Sequence, residues 1–151
     1  MFRFRNFLHT CLALAVALGC CILVKSANCI RLADIEGART YFLDSASSQG
    51  LQKNSLSILD IARVKGECVQ TEIFTYTQGR YLTKSEIAEE IIQKYQAEIL
   101  FCEEAGGTLS YYGYVSAWSD GVWLYGRKVN LHVAVGEERL SVGTPIIFGG
   151  Y

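Results

Sequence analysis

An apolar run from Phe7 to Val24, broken only by His9 and Thr10 and preceded by Arg3 and Arg5, constrains this chain more than any other feature. Eighteen such residues must leave water, into a membrane or a core. A basic start, a short apolar stretch and the small residues Ser26 and Ala27 describe a secretory signal, with the cut expected after Ser26. The same run lies at the lower edge of a bilayer span, so an uncleaved anchor through residues 7–24 is the second reading. A third is acylation of Cys20, which follows Ala17-Leu18-Gly19. Arg3 and Arg5 stay on the cytoplasmic side, so each reading puts the rest of the chain outside the cytoplasm. A buried helix of a cytosolic protein fits poorly, because the run lacks a polar face.

The chain therefore divides into a leader, residues 1–26, and a single domain, residues 27–151. Of the 14 basic residues, Arg3, Arg5 and Lys25 belong to the leader; 11 remain against 15 acidic ones. A domain that grips phosphate backbones is normally basic, so this acidic balance argues against a nucleic-acid partner. Three cysteines, Cys29, Cys68 and Cys102, fall in the domain. Outside the cytoplasm thiols oxidise, which makes Cys68 with Cys102 a candidate disulfide, beside the alternative of buried reduced thiols. There is no Cys-x-x-Cys pair to suggest zinc or thioredoxin-like chemistry.

Local pattern predicts the elements. Residues 30–48 place Leu32, Ile35, Phe42 and Ala46 on one helical stripe, closed by Gln49-Gly50. Residues 56–64 and 67–77 read as two strands around Lys65-Gly66, the second rich in β-branched and aromatic side chains. Thr83-Lys84-Ser85-Glu86 is a capping box opening a helix over residues 83–98, whose Ile87, Ile91, Ile92, Tyr95 and Ile99 form a buried stripe. From residue 108 the period is two: a strand over 108–118, a turn at Ser119-Asp120-Gly121, a return through Val122 to Tyr125, and Val129 to Val135 with His132 on its wet face. Arg139 starts a further strand. The expectation is an α+β domain: an antiparallel sheet, supplied mostly by residues 108–147, with helices packed on one face.

No catalytic, cofactor or metal constellation stands out. His132 is the only histidine of the domain and has no evident nucleophile beside it. The pairs Glu89-Glu90, Glu103-Glu104 and Glu137-Glu138 are sequence neighbours whose side chains diverge. The aromatic residues carry more information. Tyr112, Tyr114 and Trp118 are expected on one strand face, Trp123 and Tyr125 on a face of the next. They form either a ligand face or cross-strand packing pairs.

Val129-Asn130-Leu131-His132-Val133-Ala134-Val135, then Ser141-Val142-Gly143-Thr144-Pro145-Ile146-Ile147 and Tyr151, resemble the ending of YwmB-family proteins. Ile73-Phe74-Thr75, Gly79 and Val115-Ser116-Ala117-Trp118 fit the same pattern, so the resemblance spans about residues 70–151. It implies a TATA-box-binding-protein-like fold, an exported leader and a source among spore-forming Gram-positive bacteria, hence an envelope or sporulation-associated role. The family has no established activity and no agreed catalytic residues. Its members carry two related halves, and this chain has room for the leader and about one. The expected function is a non-catalytic binding module that docks on an envelope protein or on itself through a sheet edge. The alternative is a cell-wall glycan binder or hydrolase using the aromatic strands.

Overall fold

The computed structural model describes the backbone of residues 2–44 and 51–148, and their side chains apart from those of residues 2–6, 22 and 24–29. The expected helix end at Gln49-Gly50, the stripe residue Ala46 and the terminal Tyr151 lie outside the described residues.

Helix α1, Phe2–Cys29, runs for 28 residues. Its large apolar side chains Phe7, Leu8, Leu12, Leu14, Val16, Leu18 and Leu23 stand 59% to 70% exposed. Among the described residues no helix is long and apolar enough to cross a membrane; the described side chains of α1 leave out Ile22 and Val24 of the apolar run.

The chain then turns and enters a seven-stranded antiparallel sheet. The strands are β1 (Ala38–Leu43), β2 (Leu51–Lys53), β3 (Val64–Glu72), β4 (Glu98–Ala105), β5 (Thr108–Tyr114), β8 (Leu131–Val135) and β9 (Arg139–Thr144). Their order is β2-β1-β3-β9-β8-β5-β4. A separate hairpin, β6 (Val122–Leu124) with β7 (Arg127–Val129), sits between β5 and β8 in sequence. Helices α2 (Ile58–Ile61), α3 (Ile73–Thr77) and α4 (Lys84–Lys94) complete the domain. The fold is α+β, as the pattern implies.

Helix α4 forms where its capping box predicts. Thr83 accepts from the Glu86 amide at 3.2 Å, and the Glu86 carboxylate accepts from the Thr83 amide at 2.7 Å. Its Ile87, Ala88, Ile91 and Ile92 are buried on Val69, Leu131, Val133, Val135, Leu140 and Val142, which all point to one sheet face. The helix stops at Lys94, and residue 98 already belongs to β4. Thr83→Ala should lower stability by about 1 kcal/mol, read by urea melts, because it strips one orphan amide of its partner.

Three expectations are corrected. Residues 30–48 do not form a helix. Leu32 and Ile35 are buried, but from a turn, and Phe42 is buried from β1. Gly37 lets β1 start: its φ is +155°, and a Cβ there would meet the Gln70 carbonyl oxygen at 2.4 Å. Residues 58–61 are helical rather than extended, and the strand expected over 67–77 ends at Glu72, where α3 begins. In α3 the Thr77 hydroxyl donates to the Ile73 carbonyl at 2.9 Å, and Gln78 caps the turn at φ +50°. Finally, β8 is buried on both faces, His132 included at 2% exposure.

The turn at 31–35 is stapled to the sheet by charge. Arg39 donates through Nη2 to the Leu32 and Ile35 carbonyls at 2.8 and 3.1 Å. Its Nε lies 3.0 Å from Oε1 of Glu67, a contact close in distance but not aligned as a hydrogen bond. Glu67 is 1% exposed, and burial raises its carboxyl pKa above the ordinary range against the pull of Arg39.

On the other sheet face the chain doubles back after Thr144, through a cis Thr144–Pro145 bond. Ile147 and Phe148 cover Phe42, Cys68 and Ala134 as a small second core, with Phe42 and Phe148 edge to face at 5.3 Å. Gly143 leaves the room: a Cβ there would lie 2.8 Å from the Ile147 backbone nitrogen.

Candidate functional site

The side chains that gather into a site lie beside that doubled-back segment. Phe101 on β4, Tyr112 on β5 and His132 on β8 are direct cross-strand partners in the ladder. Alternation sends all three to the sheet face opposite α4. Their rings stack in a row, Phe101 on Tyr112 at 4.5 Å and 19°, Tyr112 on His132 at 4.2 Å and 21°. The Ile147 amide donates to Nδ1 of His132 at 3.3 Å, which leaves the neutral ring's proton on Nε2.

The β6–β7 hairpin supplies the other wall. Leu124 pairs with Arg127 across a two-residue turn, Tyr125 at φ +50° and Gly126 at φ +74°. Positive φ at both positions is what a tight hairpin turn requires, and tyrosine rarely takes it. The conformation turns Tyr125 edge-on to Phe101, 5.5 Å away at 77°. Arg127 donates to the Leu100 carbonyl and Lys128 to the Ser119 carbonyl, which fasten the hairpin at both ends. The result is a groove of about 440 Å³ lined by Phe101, Tyr112, Trp123, Tyr125, His132 and Ile146 among others, with Glu103 at its rim. Trp123 is 72% and Tyr125 83% exposed, so two large aromatic faces stand in water above a stacked aromatic floor.

Of the residues expected on the ligand face, Tyr112, Trp123 and Tyr125 meet in this groove. Tyr114 shares the sheet face of Tyr112 but lies opposite Glu98 at the strand's end, outside the lining. Trp118 is corrected: β5 ends at Tyr114, and Trp118 packs into the α4 core beside Tyr95, 5.4 Å between rings, under the Arg31 guanidinium. Phe101 and His132 belong to the site without having been singled out for it. Phe101 sits on a strand with no clear alternation, and the expectation of a wet His132 hid its place in the ring stack.

The candidate disulfide is corrected as well. Cys68 on β3 and Cys102 on β4 are both free thiols. Three strands lie between them, so they are roughly 19 Å apart at the usual strand spacing. Burial pushes the Cys68 thiol up to about 12, which makes it inert at neutral pH.

A second cleft, about 230 Å³, is polar and lined by Arg31, Lys65, Glu67, Ser119, Asp120 and Thr144 among others. Its charges largely serve one another: Arg31 pairs with Asp120 and lies over Trp118, while Arg39 holds Glu67. It fixes the chain leaving α1. Among the described residues no group of three or more His, Cys, Asp or Glu side chains is placed to hold a metal ion.

His132 makes the aromatic row pH-sensitive. Burial lowers its pKa from 6.5 to about 4. The unfolded chain takes up a proton as the pH falls below the unfolded value and the folded chain does not, so its contribution is full above that value and is lost as the pH falls toward the folded one. At 1.36 kcal/mol per unit the loss is about 3 kcal/mol. Urea melts from neutral pH downward should show it, and His132→Gln should flatten that part of the profile. Compared with protein-family models, curated proteins and solved structures, the chain matches none of them.

Proposed function

We propose that this protein is a non-catalytic binding module held on the outer face of a membrane by α1, and that its ligand is a flat-faced carbohydrate of the envelope, bound in the aromatic groove. The observation that carries the reading is the pair Trp123 and Tyr125, held in water by a fastened hairpin beside the Phe101–Tyr112–His132 row. Exposed aromatic rings cost free energy unless something covers them, and the C–H faces of sugars do so without requiring charge. The outward topology is supported by Arg3 and Arg5 ahead of the apolar run. Retention of α1 is supported by its unbroken helix through Ser26 and Ala27.

Docking through a sheet edge finds less support at β4. Its register breaks between Ile99 and Phe101, Arg127 occupies the Leu100 carbonyl, and Glu98, Glu103 and Glu104 would face an approaching strand. Bulges and charges of this kind guard edges against pairing. The kinship with the YwmB family and a TATA-box-binding-protein-like fold stays a proposal of ours, supported by the sequence ending and by a capped helix across an antiparallel sheet.

The test is a pull-down of the purified full chain in detergent on insoluble cell-wall glycan. Trp123→Ala and Tyr125→Ala should each weaken binding about tenfold, the equivalent of ~1.4 kcal/mol. Tyr81→Ala, an exposed aromatic of the loop before α4, should leave binding unchanged. Equal binding by all variants would remove the groove from the function. A reporter active only outside the cytoplasm, fused after Tyr151, checks the topology.

A further inference from the structure

Two aliphatic side chains stand in water at the tip of α2: Ile58 is 72% and Leu59 83% exposed. They are held there. The buried Asp60 carboxylate accepts from the Ser57 amide at 3.0 Å, the Ser57 hydroxyl at 2.7 Å and the Lys53 ammonium at 2.8 Å. These bonds fix the turn with Asp60 inward and its two apolar neighbours outward. A flexible loop tip with nothing to contact would carry polar residues instead.

What α2 lies against identifies the occupant. It contacts α1. The chain leaving α1 passes the end of α2, since Arg31 shares a cleft with Ile61 and Ala62. Ile30, the first residue beyond α1, is 46% exposed, and Leu51 on the neighbouring edge strand β2 is 51% exposed. The exposed cations Arg63 and Lys65 follow α2 directly. Aliphatic side chains beside the exit of an apolar helix, flanked by long basic ones, match the layering of a bilayer surface, with acyl chains below and headgroups above.

We propose that α2 is a second lipid contact, which seats Ile58 and Leu59 in the membrane interface beside α1 and sets the orientation of the domain above it. The proposal rests on α1 lying in the bilayer. With α2 down, the aromatic groove keeps a fixed attitude to the membrane instead of swinging on a single tether.

The experiment uses the full chain in vesicles of phosphatidylcholine and phosphatidylglycerol. Three single-label proteins carry a nitroxide at Cys11, at residue 59 (Leu59→Cys) or at Cys102, the other cysteines except buried Cys68 being serine. Collisional relaxation by oxygen and by a water-soluble nickel chelate reports depth. The expected result is nickel protection at positions 11 and 59, several-fold relative to position 102. Protection at 11 with full nickel access at 59 overturns the α2 contact and leaves the α1 reading intact. Full access at both positions overturns both. Protection at 59 alone upholds lipid contact by α2 and removes α1 from the bilayer.

Discussion

Arg39→Met should destabilise the domain by about 3–5 kcal/mol, the usual consequence of removing one member of a buried ion pair. The reason lies in what Arg39 leaves behind. Glu67 is 1% exposed, and its nearest other donor is the Leu32 amide at 3.4 Å, a long contact. The Leu32 and Ile35 carbonyls lose their guanidinium donor in the same step. The pH profile identifies the cause. Burial already raises the Glu67 pKa, and losing the arginine raises it further. A carboxyl that holds its proton more tightly when folded makes stability fall as pH rises from the unfolded value through the folded one. The variant should therefore be most stable in mild acid and lose stability across a wider range than the parent does. Glu67→Gln should show no such fall, since nothing at that position ionises. Equilibrium unfolding at a series of pH values decides it. An Arg39→Met protein as stable as the parent near neutral pH would mean that Glu67 finds water or another cation.

Ile91→Ala should cost about 2–5 kcal/mol, the range for emptying a buried aliphatic site. Ile91 is fully buried on α4, with Ile87 one turn before it, against Leu131, Val133 and Val142 of the two central strands. A rigid sheet on one side and a capped helix on the other limit how far the site can collapse, which favours the upper half of the range. Ile92, on the helix flank at 7% exposure, should cost less on truncation. Equal losses at the two positions, measured by denaturant melts, would mean that α4 is rotated from the orientation described.

The sequence was most legible where an element is defined by its own neighbours. The Thr83–Glu86 box closes within four residues, so the start of α4 could be read before any fold was known. The strands after residue 108 announced themselves by alternation. Residues 30–48 misled because Leu32, Ile35 and Phe42 are spaced as on a helix yet reach the core from a turn and a strand. Burial was correctly anticipated there, but spacing alone does not tell a helical face from a folded-back chain. Ile73 to Thr77 has strand-like composition and is helical, a case of context overriding propensity. β4 escaped notice because an edge strand with most of both faces wet has no alternation to display.

By itself, the sequence determined the division into leader and domain, the acidic balance that disfavours nucleic acid, the capped helix and the α+β class, since each rests on composition or short-range spacing. Only the tertiary structure decided that Phe101, Tyr112 and His132 form one stack, that Trp118 belongs to the core, and that Cys68 and Cys102 stand three strands apart. Those facts depend on strand order and register, which are set by the fit of side chains far apart along the chain. A register shift of one residue would turn every such side chain to the opposite face.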